Sequence, residues 1–149
     1  MKNNDTFNQI LNSNLASIDP GFGQFALAKA SSDLMKKVQE ACMGQALMGK
    51  APMAVIVCSD STRVMGCDQR ASTVDCSIAM SFMMLAATAE GLGTCWIGGF
   101  TQKPLKEALG IPAEYDVVAL TPLGYPAEEG RPRDRKPLEE LVYKNGWKR

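Results

Sequence analysis

Four glycines fall within the nine residues Gly91 to Gly99, in the run Gly91-Leu92-Gly93-Thr94-Cys95-Trp96-Ile97-Gly98-Gly99-Phe100. Glycine leaves main-chain amides uncovered by any Cβ, so a flat ligand can lie directly against the backbone. Beyond Leu123-Gly124-Tyr125-Pro126 comes a basic cluster, Arg131, Arg133, Arg135 and Lys136. The planar fork of arginine matches a phosphate monoester. A backbone ledge followed by a basic run suits a planar ring that carries a phosphate. Each run also has a plainer reading. Gly91 and Gly93 fit a helix C-cap and a tight strand entry, although that leaves Gly98-Gly99 unexplained. The basic run reads equally as a solvated surface stretch.

Other chemistries are poorly served. A dinucleotide fingerprint needs Gly-x-Gly-x-x-Gly after a strand and at the start of a helix; here the spacing differs and a helix comes first. The chain contains no histidine, so it lacks the commonest general base and the commonest metal ligand, and no metal site is expected. Cys42, Cys58, Cys67, Cys76 and Cys95 form no Cys-x-x-Cys pair. Cys58 and Cys95 fall in expected buried strands, as small hydrophobes. Met80, Met83 and Met84 read as core filler, Trp96 as apolar bulk and Tyr125 as turn packing. No carboxylate pair or Ser-His-Asp arrangement stands out. If the chain is an enzyme, a cofactor must carry the reaction.

The 149 residues suit one domain, with 46% hydrophobic residues for a core and 21% charged. Lys plus Arg equals Asp plus Glu at 16 each, so no net field recruits nucleic acid or an anionic membrane. An odd cysteine count and a polar start, Met1 to Asp5, without an apolar signal core suggest a reducing cytoplasm. The apolar part of Ser77 to Phe100 falls short of the roughly 20 residues of a membrane span.

The elements that must position these runs alternate helix and strand. A short helix is expected over Asp5–Leu15, a turn at Asp19-Pro20-Gly21 and a weak strand over Phe25–Ala30. Ser31 or Ser32 can cap a helix from Asp33 to about Met48, with Leu34, Val38, Cys42 and Ala46 on its buried face and Gly49 at its end. Met53–Cys58 reads as a strand covered on both faces. After a loop over Asp60–Arg70, Ser72-x-x-Asp75 reads as a capping box. The helix it opens is apolar nearly all round and so buried and central, with Ile78, Phe82, Leu85 and Ala89 on one face. Thr94–Ile97 reads as a strand, Thr101 to Gly110 as a capped helix, Tyr115–Leu120 as a strand and Pro137–Tyr143 as a last helical turn or two. This order predicts a three-layer α/β or α+β sandwich.

From Ala51 to Trp147 the chain resembles the second half of a nitroreductase-family domain. Ala51-Pro52 before Val55-Ile56-Val57-Cys58-Ser59-Asp60 is similar to the family's Ala-Pro and hydrophobic strand. Asp75 to Phe100 resembles its central helix and glycine-rich segment. Leu109-Gly110-Ile111-Pro112, Leu123-Gly124-Tyr125-Pro126 and Arg135-Lys136-Pro137-Leu138-Glu139-Glu140 follow in family order. The first 50 residues diverge: the family's Arg-x-Ser-x-Arg is absent. Ile10 to Gln24 resembles the helix and loop that come next, with Gln24 on the family's glutamine and Phe22 in place of its asparagine. Phe82 stands where many relatives carry a polar residue.

The resemblance implies an α+β, three-layer α-β-α sandwich with a mixed central sheet and a buried central helix, over residues 1–149 as one domain. It implies a homodimer with FMN at the subunit interface and NAD(P)H as reductant, passing a hydride to a small electrophilic acceptor such as a nitroaromatic or quinone. By position, Gln24 would contact the flavin, Gly98 and Gly99 would place amides near its reactive edge, and Arg135, with Lys136 or Arg133, would hold the phosphate. The alternative is a non-catalytic relative that binds flavin weakly, or another planar ligand.

Overall fold

A computed structural model of the chain describes residues 24–29, 32–130 and 133–147. The helix expected over Asp5–Leu15, the turn near Asp19, the position of Phe22, the capping role of Ser31, and Arg131 all lie outside the described residues. Four strands form one sheet in the order β1 (Gln24–Lys29), β2 (Met53–Ser59), β4 (Asp116–Gly124), β3 (Gly93–Thr94). Every pairing is antiparallel, so among the described residues the sheet of this α+β fold is antiparallel, not mixed.

Helices cover both faces of the sheet. On one side pack α1 (Ser32–Ala41), α2 (Ala46–Lys50) and α4 (Gln102–Leu109), where Met35, Val38, Met48 and Leu105 meet Ala54, Ile56 and Leu120. On the other lies α3 (Ala71–Ala89), whose Cys76, Met80, Met83 and Ala87 meet Val55, Val57, Ala119 and Leu123. Residues 54 to 58 of β2 are therefore all buried, as their unbroken apolar run predicts, and polar Ser59 is buried beside them. The β2–β4 register shifts between Val57 and Cys58, which places an extra residue, Val118, in β4. Gln102 braces that bulge: Val117 N–H donates to its Oε1 at 3.0 Å, and its Nε2 donates to the Val117 carbonyl at 2.6 Å.

Three local readings change. The helix expected from Asp33 to Met48 is two helices, because Met43 (φ 56°) and Gly44 (φ 73°) turn left-handed after α1. Val38 and Cys42 are buried as predicted, while Ala46 is exposed and Gly49 lies inside α2. Ser72 and Asp75 form no capping box: α3 begins at Ala71, Ser72 is buried within it, and Asp75 pairs with Arg63 at 3.5 Å.

The third change concerns α3 itself, which is apolar around its axis but buried on one side only. Ile78, Phe82 and Leu85 are 50%, 57% and 67% exposed. These positions recur at i, i+4 and i+7, a continuous stripe turned away from the sheet. By length and composition alone α3 could also cross a bilayer, a test that core helices of soluble proteins pass too.

Ile56 is fully buried between β4 and the α1–α2 layer, so Ile56→Ala should lower the unfolding free energy by about 2–5 kcal/mol. Denaturant titration with an unchanged m-value is the check. A loss below about 1 kcal/mol would place Ile56 outside the core.

Candidate functional site

The glycine run begins where α3 ends. Gly91 is left-handed (φ 74°); its N–H donates to the Thr88 carbonyl at 3.0 Å, and Leu92 N–H donates to that of Ala87 at 2.9 Å. This is a Schellman closure, so the cap reading accounts for Gly91. Gly93 and Thr94 then pair with Gly124 and Leu123. The strand expected over Thr94–Ile97 stops there because the next partner, Pro122, has no N–H. Cys95 N–H instead donates to Thr121 Oγ1 at 2.9 Å, and pairing resumes at Ile97, whose N–H reaches the Leu120 carbonyl at 2.9 Å.

Past Ile97 the backbone is open. Gly98 is exposed, Gly99 and Phe100 are half-buried, and the N–H groups of all three find no acceptor among the described residues. A Cβ on Gly98 would meet nothing closer than the Trp96 indole nitrogen at 3.7 Å. At Gly99 the same position is lined by Gln45 Nε2 at 3.4 Å and Met43 Sδ at 3.7 Å. Of the two glycines, Gly98 therefore offers the uncovered approach.

Gln45 is a site residue that no local sequence signal singles out. It lies 54 positions away in the chain, and its Nε2 donates to the Gly99 carbonyl at 3.0 Å. Thr101 N–H donates to the Ala41 carbonyl at 2.9 Å, tying the far end of the ledge to α1.

The remaining predicted site residues lie elsewhere. Gln24 opens β1 opposite Cys58, on the strand order's other edge from β3. Arg133, Arg135 and Lys136 are exposed, outside any helix or strand, and no hydrogen bond or ion pair among the described residues joins them to the ledge. Among the described residues beyond them are a 3-10 turn, Leu138–Glu140, and a Tyr143–Trp147 ring pair with centroids 4.4 Å apart. Leu138, Leu141, Val142 and Trp147 there are 51–77% exposed.

Trp96 and Cys95, expected in the core, are more open than predicted, and so is Tyr125, expected to pack in its turn. Trp96 is 39% exposed, Cys95 is half-buried and Tyr125 is 70% exposed. Cys95 and Tyr125 line a cavity of about 330 Å³ with Leu47, Lys50, Gly93 and Gly124. Met80 and Met83 are buried as core filler, and so is Cys58. Burial pushes the thiols of Cys42, Cys58 and Cys76 up to about 11, so all three stay protonated at neutral pH.

Comparison with known proteins places this geometry. Residues 5–125 match the model of the nitroreductase family, a span that includes the glycine run and stops short of the basic cluster. A protein of Archaeoglobus fulgidus, provisionally named NADH dehydrogenase/NAD(P)H nitroreductase, is 33% identical over 101 residues, 65% of this chain and 58% of that protein. The chain spans about half the length or less of the curated relatives it matches. A nitroreductase family protein from Clostridium novyi superposes with a TM-score of 0.73 at 30% identity, covering 82% of this chain and 74% of that one. The NADPH:FMN oxidoreductase of Vibrio harveyi, solved with NAD+, shares the fold at a TM-score of 0.82 and 21% identity, over 97% of this chain and 69% of that one.

The thiol environments give a direct check. In the native protein near pH 7.5, a maleimide should modify exposed Cys67 and half-buried Cys95, whereas Cys42, Cys58 and Cys76 should react only after denaturation. Mass spectrometry of native and denatured samples counts the adducts. Native modification of all five would contradict this burial.

Proposed function

The chain belongs to the nitroreductase family, and on that premise we propose that it is an FMN-dependent oxidoreductase. It takes reducing equivalents from NAD(P)H and passes them to a small electrophilic acceptor, of nitroaromatic or quinone type. The observation that carries this reading is the set of successive amides, at exposed Gly98 and at half-buried Gly99 and Phe100, that find no acceptor among the described residues. Fixed donors of this kind suit the polar edge of a flavin, where negative charge develops on reduction. The names of relatives in Archaeoglobus fulgidus and Vibrio harveyi point to the same nicotinamide and flavin chemistry.

The residues present fit FMN in kind. Backbone donors for the ring lie on the ledge, and a cluster of cations suited to a phosphate lies at Arg133, Arg135 and Lys136. FMN, when bound, supplies the hydride-transfer chemistry, for which this histidine-free chain offers no substitute. The chain's own tasks are then to hold the ring edge through Gly98, Gly99 and Phe100 N–H groups and the phosphate through Arg135. The protonated thiols of Cys42, Cys58 and Cys76 leave no buried thiolate in the core to compete for an electrophilic acceptor.

We place the protein in the reducing cytoplasm as a homodimer. Two apolar surfaces support the dimer: the α3 stripe Ile78, Phe82 and Leu85, and the segment from Leu138 to Trp147. A second copy related by a two-fold axis would cover both with the same chemistry.

Replacing Arg135 with alanine should weaken FMN by about tenfold or more, as loss of a charge-assisted phosphate contact implies, and leave riboflavin nearly unaffected. Flavin fluorescence quenching reads both. Equal losses for the two ligands would assign Arg135 to fold stability. A parent protein that quenches neither flavin would favour the non-catalytic alternative.

Light scattering at micromolar concentration should give twice the chain mass, and Phe82→Glu should shift the protein toward monomer. A parent that scatters as monomer would remove the dimer.

A further inference from the structure

We infer that Gln45 is a positioning residue, whose side-chain amide holds the Gly98–Phe100 ledge in its ligand-ready form; this role rests on the flavin reading above. The argument starts from what the ledge lacks. Gly98 and Gly99 have the widest backbone freedom of any residues, and three consecutive amides there have no acceptor among the described residues. Left alone, such a segment samples many arrangements, and a ligand would have to order it on binding.

Three anchors restrict it. Ile97 N–H is bonded to the Leu120 carbonyl upstream, and Thr101 N–H to the Ala41 carbonyl downstream. Between them the described anchor is the 3.0 Å bond from Gln45 Nε2 to the Gly99 carbonyl. That carbonyl belongs to the same peptide group as the Phe100 N–H. A donor at the oxygen polarises the peptide and strengthens its N–H toward a ligand.

Gln45 is itself braced. The turn before it contains Met43 in the left-handed region, an uncommon conformation for a residue other than glycine. Gly44 N–H donates to the Gln39 carbonyl at 2.9 Å, and Gln39 Nε2 donates back to the Gly44 carbonyl at 3.2 Å. A strained turn locked from both sides delivers one amide side chain to one carbonyl of the ledge.

The test uses Gln45→Met, which keeps the bulk and loses the donor, and Gln45→Glu, which sets a carboxylate against the carbonyl. FMN and riboflavin should weaken together, about fivefold for Gln45→Met and further for Gln45→Glu. With fewer ordered donors for the reduced ring, the midpoint potential of bound FMN should become more negative, while the melting temperature of the flavin-free protein changes little. A melting temperature that falls in step with affinity, at an unchanged potential, would reduce Gln45 to a structural role. Should Gln45→Glu fail to fold, Gln45→Met decides. A parent that binds flavin while Gln45→Met binds equally well at the same potential overturns this role alone. A parent that binds neither flavin overturns it together with the flavin reading.

Discussion

The central strands β2 and β4 are roofed by helices on both faces, and the rest of the molecule follows from how that pair is enclosed. With α1, α2 and α4 above and α3 below, alternate side chains of both strands enter two separate apolar clusters. Burial on this scale obliges each backbone polar group to find a partner. The ladder serves most of them, and side chains serve the irregular places: Gln102 at the bulge by Val117, and the Thr121 hydroxyl for the Cys95 N–H. Beyond the ladder, the N–H groups of Gly98 to Phe100 find no acceptor among the described residues, and there the backbone can serve a ligand instead of the fold.

Much of this architecture is written in local patterns. The unbroken apolar run of β2, the stop of helix Gln102–Leu109 at left-handed Gly110 and the helix stop at Gly91 each depend on a few neighbouring residues, whereas Thr101 makes no side-chain cap at the start of Gln102–Leu109. Readings fail where tertiary contacts override such a pattern. The four-residue spacing from Leu34 to Ala46 looks like one helix, yet the chain accepts a left-handed Met43 and breaks it. Ser72 and Asp75 have the spacing of a capping box, but Ser72 is buried one residue inside α3 and Asp75 answers to Arg63. The all-round apolarity of α3 suggests enclosure within one chain, whereas a single sheet can cover only one side of it.

The candidate site divides along the same line. Clustered glycines reveal an open backbone because glycine's effect is local and chemical. Gln45 stays hidden because a side-chain bond spanning 54 positions leaves no mark on the residues beside it. The basic residues are legible as charges, but their spatial relation to the ledge is not: Arg133, Arg135 and Lys136 lie on an exposed segment that no described bond ties to Gly98. Charge is a property of composition, while convergence on one ligand is a property of the fold.

Pro122 carries a consequence that reaches past the strand it interrupts. A sheet edge with a long row of free N–H and C=O groups is a template onto which another chain can add a strand. Here β3 is two residues long, and opposite Cys95 the ladder meets an imino acid with no hydrogen to offer. Cys95 has turned its N–H inward to a threonine hydroxyl, and Ile97 has given its own to Leu120. On the β3 side the edge is thus blunted: two paired residues are too short a template for continuing the sheet from molecule to molecule.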